Sequence, residues 1–212
     1  MKKKLILFLV VFLFFNVMTV YGTNALYGYF KGYEIVKVKL GENAIEGSVP
    51  AIIMEGSTMV PLRAVSENLG VIVGWDGSNK TVVLTKPNVN MLFTANPVYD
   101  KENKSYLVYS PFGKLNKTQR YNFSFHVFCE MDNLPYEEIE IMVQLVDPEG
   151  EIVAKSTVQG FDATKENSFQ YINLFENINF VLTGNYKVEA LISGPSTANE
   201  FKKIGEKIIA VK

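Results

Sequence analysis

Strict period-two alternation through the C-terminal part of the chain limits its fold more than any other feature. Tyr121, Phe123, Phe125, Val127 and Cys129 share one face of a run whose other face carries Asn122, Ser124 and His126. Ile139, Ile141, Val143 and Leu145 repeat the pattern against Glu138, Glu140 and Gln144. Successive side chains of a strand point to opposite faces, so each run buries one face and solvates the other. Asp147-Pro148-Glu149-Gly150 then reads as a type I turn with each residue type at a favoured position. More strands are expected near 152–157, 169–174, 186–192 and 206–211. Regularly spaced strands with one apolar face predict a two-sheet sandwich over residues 119–212.

Residues 33–86 have a different texture. Val36, Val38 and Leu40 alternate with Lys37 and Lys39 as one half-buried strand. Glu55-Gly56-Ser57 lies between the apolar runs 51–54 and 59–60, as a hairpin turn would. Pro61 suits the first helical position, where its missing N–H costs nothing. Leu62, Val65 and Leu69 share one face of that helix, Arg63 and Glu67 are spaced to pair on the opposite face, and Gly70 supplies the stop. Trp75 follows Val71-Ile72-Val73 and is expected to pack on Leu62, Val65 or Leu69. Asp76-Gly77-Ser78-Asn79 is a second turn, leading into a strand over 81–85. So short a helix must lean on the surrounding strands, which makes this a small α+β unit. Pro87, Pro97 and Pro111, with the polar cluster 100–105, mark residues 87–118 as linker and first strands.

Several of these residues form a pattern: Pro50-Ala51-Ile52-Ile53, Val60-Pro61-Leu62-Arg63-Ala64-Val65, Leu69-Gly70 and Gly74-Trp75-Asp76. The segment resembles the copper amine oxidase N-terminal-like domain, the stalk domain of secreted bacterial proteins. That resemblance implies a non-catalytic accessory module and gives Trp75, Pro61 and Arg63 structural roles. Gly184-Asn185-Tyr186-Lys187-Val188 is similar to the corner before a late strand in immunoglobulin-like domains, where a Tyr hydroxyl bonds back to the main chain. Tyr186 is expected to be structural in that way. The fold class expected is mainly β: a small α+β stalk-like domain of antiparallel strands with one short helix, followed by an immunoglobulin-like β-sandwich.

The first residues read as an export signal over 1–25. Lys2-Lys3-Lys4 precedes an apolar run from Leu5 to Phe15, shorter than a membrane span needs, and cleavage fits after Gly22 or Ala25. An uncleaved segment would instead anchor the chain, the one route to membrane contact. The single cysteine, Cys129, forms no internal disulfide. A net charge of −1 argues against nucleic-acid binding, which favours a basic stripe.

No candidate chemistry emerges. Copper in the oxidases needs several imidazoles, and this chain has one histidine. His126 falls on the polar face of its strand, and Cys129 on the core face without a base to activate it. Glu137, Glu138 and Glu140 read as solvated charges rather than a glycosidase pair. Asp147, Glu149 and Glu151 belong to a hairpin turn, since the calcium-loop spacing is absent. No catalytic, cofactor-binding or metal-binding residue is expected. Tyr99, Tyr106, Tyr109 and Phe112 form the one aromatic cluster suited to ligand contact, packing of a joint between domains being the other use for such rings. The chain is expected to be an exported, non-catalytic binding module at the cell surface, its partner an envelope polymer or another surface protein. The alternatives are an accessory subunit or inhibitor of an extracellular enzyme, or a secreted hydrolase of unfamiliar type.

Overall fold

A computed structural model describes residues 28–212. The expected leader over 1–25 lies outside the described residues. The chain forms two compact units, one up to Val65 and one from Ser66 to Lys212. The described residues of the first form six short strands: β1 (Tyr29–Phe30), β2 (Tyr33–Val36), β3 (Val38–Leu40), β4 (Asn43–Ile45), β5 (Ala51–Met54) and β6 (Ser57–Met59). β1, β2, β5 and β6 form one antiparallel sheet in that order, while β3 pairs only with β4. The single strand expected through Val36, Val38 and Leu40 is therefore two strands in two sheets. Its alternation stays in phase across Lys37, which hides the corner from a pattern reading. The β5–β6 connection is Glu55-Gly56 alone, with φ of 50° and 78° and Met54 opposite Ser57. Two positive φ values in a two-residue loop make a type I′ turn, whose twist matches the flanking strands.

Helix α1 (Leu62–Asn68) follows. The Val65 N–H donates to the Pro61 carbonyl at 3.4 Å, so Pro61 stands just before the first helical residue. The helix ends in a Schellman motif: the Gly70 N–H reaches the Glu67 carbonyl at 3.1 Å and the Val71 N–H the Ser66 carbonyl at 2.8 Å. Gly70 adopts φ 68°, and a Cβ there would lie 2.8 Å from the Ile204 carbonyl oxygen. Ser66, four residues earlier on the same face, is the buried residue of the helix. Close approach of backbone to backbone thus selects glycine just beyond the helix end. Leu62 and Leu69, expected on the inner face, are exposed. The hairpin of β7 (Ile72–Asp76) and β8 (Thr81–Thr85) completes this part. Trp75 is 63% exposed, which overturns its expected place as a packed ring. Ile72 does the anchoring instead, as part of the core of the second unit.

The boundary expected at residue 86 is thus displaced. The last residues of α1, from Ser66, and the β7–β8 hairpin belong with the sandwich, and Asn133 Nδ2 donates to the Lys86 carbonyl at 2.8 Å across the supposed junction. Residues 87–118 hold the expected first strands, with little linker between them. They form β9 (Asn88–Asp100), β10 (Ser105–Pro111) and β11 (Lys114–Leu115). The remaining strands are β12 (Phe123–Asp132), β13 (Glu138–Val146), β14 (Ile152–Lys155), β15 (Gln159–Asp162), β16 (Ser168–Ile178), β17 (Gly184–Ser193) and β18 (Lys202–Val211). One sheet runs β10-β9-β12-β16 and the other β11-β18-β17-β13-β14, with β15 also on β13. β12 and β16 occupy the B and E positions of an immunoglobulin-like sandwich, and β13, β17 and β18 the C, F and G positions.

Between the sheets lies the core predicted from alternation. Phe125, Val127, Cys129 and Met131 of β12 face Ile139, Ile141, Val143 and Leu145 of β13, all nearly fully buried. Tyr121 precedes the strand and is exposed. Tyr186 is 1% exposed and its hydroxyl accepts the Leu182 N–H at 3.0 Å, so the expected tyrosine corner is present. At the β13–β14 turn the Asp147 carboxylate accepts the Glu149 and Glu151 N–H groups, each at 2.9 Å. The fold is mainly β, with an α+β segment leading into an immunoglobulin-like sandwich.

Candidate functional site

The outward face of the β9-β12-β16 sheet is built in rungs of cross-strand partners. Asn90, Glu130 and Gln170 make one rung, Leu92, Phe128 and Ile172 the next, and Thr94, His126 and Leu174 the third. An outward face should be polar throughout, yet the middle rung is apolar. The β9–β10 hairpin explains this. β9 pairs with β12 over Asn88–Thr94 and with β10 over Thr94–Asp100, so the chain changes partners at Thr94. Tyr106 of β10 is opposite Tyr99, seven residues along β9 from Leu92. In a straight strand that separation is about 23 Å. The Tyr106 ring nevertheless lies 5.3 Å from that of Phe128, edge to face. The hairpin has doubled back over the sheet.

Local chemistry holds this arrangement. Thr94 is fully buried and donates its hydroxyl to the Tyr109 carbonyl at 2.6 Å, pinning the base of the hairpin. Ser110, unpaired in the ladder between Tyr109 and Pro111, takes φ 50° and kinks β10 there. At the tip the Asp100 carboxylate accepts the Glu102 and Asn103 N–H groups and the Asn103 side-chain amide, which holds it below the usual carboxylate range. The β7–β8 turn repeats this device: hydrogen bonds from Ser78 and Asn79 lower Asp76 to about 2. Both loops read Asp-x-x-Asn-Lys, and both lysines adopt φ near 50°, with Lys80 at 52° and Lys104 at 49°.

Between hairpin and sheet lies an open cleft of about 700 Å³. Leu92, Phe128 and Ile172 line its floor, with the polar rung of Asn90, Glu130 and Gln170 beside them. Tyr106 and Val108 form the roof, and Lys104 and Ser105 the mouth. Of the four aromatics singled out by sequence, the structure brings two together: Tyr99 is the cross-strand partner of Tyr106 and packs beside its ring at 5.0 Å. Tyr109 falls on the opposite face of the hairpin, since Tyr106 and Val108 share one face and Leu107 and Tyr109 the other. Phe112 is not a contact residue but a core ring, 5.4 Å from Phe123 and 5.7 Å from Phe125. The floor residues were missed. The available signal was an apolar residue where alternation demands a polar one, at Leu92, Phe128 and Ile172.

Other titratable groups are occupied or inert. Burial pushes the Cys129 thiol up to about 12, so it is no nucleophile at neutral pH. His126 is half-buried rather than a surface residue; its Nδ1 has no hydrogen-bond partner, and burial lowers its pKa. Glu138 and Glu140 are exposed as expected, whereas Glu137 is engaged: it accepts the Ser196 N–H at 2.9 Å and the Ser196 hydroxyl at 2.7 Å. Among the described residues, no group of three or more His, Cys, Asp or Glu side chains could hold a metal ion.

The family model described as copper amine oxidase N-terminal domain covers residues 38–108. That segment matches the copper amine oxidase N-terminal domain family. The match runs from β3 to β10, beyond the end expected at residue 86. The copper amine oxidase N-terminal domain segment therefore supplies one strand of the cleft floor and its roof, while β12 and β16 lie outside it. No curated protein matches the chain. Among solved structures, one described as a "putative beta-galactosidase" from Bacteroides fragilis is 16% identical with a TM-score of 0.37, covering 60% of this chain. The chain spans 18% of that protein's length. An immunoglobulin-like protein from Pseudomonas aeruginosa is 9% identical with a TM-score of 0.27, covering 66% of this chain and 96% of its own.

Proposed function

We propose that this protein is an exported, non-catalytic binding module of the cell surface, whose ligand sits in the cleft between the β9–β10 hairpin and the sandwich. The cleft itself carries the reading: about 700 Å³ of open space with an apolar floor and a short polar rung is a shape suited to holding a ligand. Its lining supports binding over catalysis. Glu130 is the one carboxylate that lines it, no histidine does, and Cys129 is held as a thiol. The lysine-rich start and short apolar run support export, and the partners that follow are envelope polymers or other surface proteins. Among the described residues, no helix is long and apolar enough to cross a membrane.

Co-sedimentation of the purified protein with insoluble envelope polymer, together with a glycan, peptide and ester turnover panel, tests this reading. The expected outcome is retention on the polymer with no product released. Hydrolysis abolished by a single Glu or Asp substitution would overturn it.

A further inference from the structure

The floor of the cleft places an apolar rung beside a polar one. Leu92, Phe128 and Ile172 stand directly opposite one another on three strands, and Asn90, Glu130 and Gln170 occupy the adjacent positions on the same face. Rungs on one face of a sheet lie two residues apart, about 7 Å. A pyranose ring has the same division: an apolar face of C–H bonds and a rim of hydroxyls that both donate and accept. The Phe128 and Tyr106 rings offer the C–H bonds an aromatic surface of partial negative charge. The two amides and the carboxylate offer acceptors and donors to the hydroxyls. Lys104 at the mouth and Glu130 on the floor bring one positive and one negative charge, a poor match for phosphate or a polyanion. A purely apolar ligand would leave the polar rung desolvated without partners.

We propose that the cleft is a saccharide-binding site that takes a neutral sugar ring over Phe128 and Tyr106, with its hydroxyls on Asn90, Glu130 and Gln170. This rests on the binding-module reading and gives its ligand a chemical class. Tyr99 acts through Tyr106, as a positioning residue packed beside the ring. Tyr109 lies on the far side of the hairpin and takes no part.

Isothermal titration of the purified protein against short neutral glucan, mannan and N-acetylglucosamine oligosaccharides tests the proposal. One of these is expected to bind, with affinity reduced about tenfold or more in Tyr106→Ala and in Gln170→Ala, and unchanged in Tyr109→Ala. Gln170→Ala sits on the exposed face of a sandwich strand and keeps the test valid if Tyr106→Ala disturbs the hairpin. Absence of binding to every sugar would overturn the proposal, as would sugar binding unaffected by Gln170→Ala in a folded variant. The second result would leave a binding protein with its site elsewhere. Sugar binding followed by cleavage would keep the ligand and defeat the non-catalytic reading instead.

Discussion

The unit up to Val65 and the sandwich are written in the same alternating code, yet one buries its apolar residues and the other does not. Among the described residues before Ser66, Ala51 is the one hydrophobic that is buried, while Tyr29 is 78% and Met59 48% exposed. In the sandwich, β12 alone contributes Phe125, Val127, Cys129 and Met131 at 2% exposure or less. Alternation states that a segment is extended and two-faced. Burial requires a second layer opposite the apolar face, and strands of two to four residues cannot supply one. Stability therefore concentrates where two long sheets face each other.

The largest effect is expected at Phe125, whose ring meets those of Phe93, Phe112, Phe175 and Phe180. Phe125→Ala is expected to cost about 3–5 kcal/mol in denaturant unfolding. A loss near that of a surface substitution would mean that the sandwich core is not where stability resides. Gly70→Ala comes next, since it adds strain at φ 68° and a Cβ 2.8 Å from the Ile204 carbonyl. A loss of about 1–3 kcal/mol is expected from urea titration, and tolerance would show that the backbone at Gly70 does not lie so close to β18.

Acid provides a third, smaller probe. His126 is the single histidine, and burial depresses its folded pKa below 6.5. Between that lowered value and 6.5 the unfolded chain binds more protons, so stability rises with pH. The contribution is complete above about 6.5 and is lost as the pH falls through the folded value. Wild type should melt lower at pH 5 than at pH 7, and His126→Phe should lose that part of the difference; an unchanged pH profile would place the imidazole in water. The smallest effect is expected at Trp75, on the exposed hairpin. Trp75→Ala should change stability by less than about 0.5 kcal/mol, against the 3–5 kcal/mol of a buried ring. A large loss would close the gap between exposed and buried aromatics on which the comparison depends.

How much of this could be read beforehand differs by element. The core faces of β12 and β13, the Asp147 turn and the tyrosine corner were legible because each depends on residues close in the chain. The inner face of α1 was not, because Ser66 is buried there while Leu62 and Leu69 are exposed, an outcome set by packing and not by hydrophobic spacing. Trp75 was misplaced for a related reason: a large ring after an apolar run is core by pattern, and only packing shows that Ile72 takes that place. The cleft was half legible. Tyr106 belonged to a visible aromatic cluster, whereas Leu92, Phe128 and Ile172 meet only across three strands.

The amino-acid sequence alone settled the β character, the two-faced strands, the hairpin turns and the family that residues 38–108 match, since each rests on local period, φ preference or contiguous motif. Tertiary structure alone decided that the stalk-like segment is divided at Val65, that the strands within residues 87–118 pair into the sandwich sheets, and that the β9–β10 hairpin folds back to enclose a cleft. Those outcomes depend on which strand a given edge pairs with and how closely two backbones approach. Neither quantity is carried by any one stretch of chain.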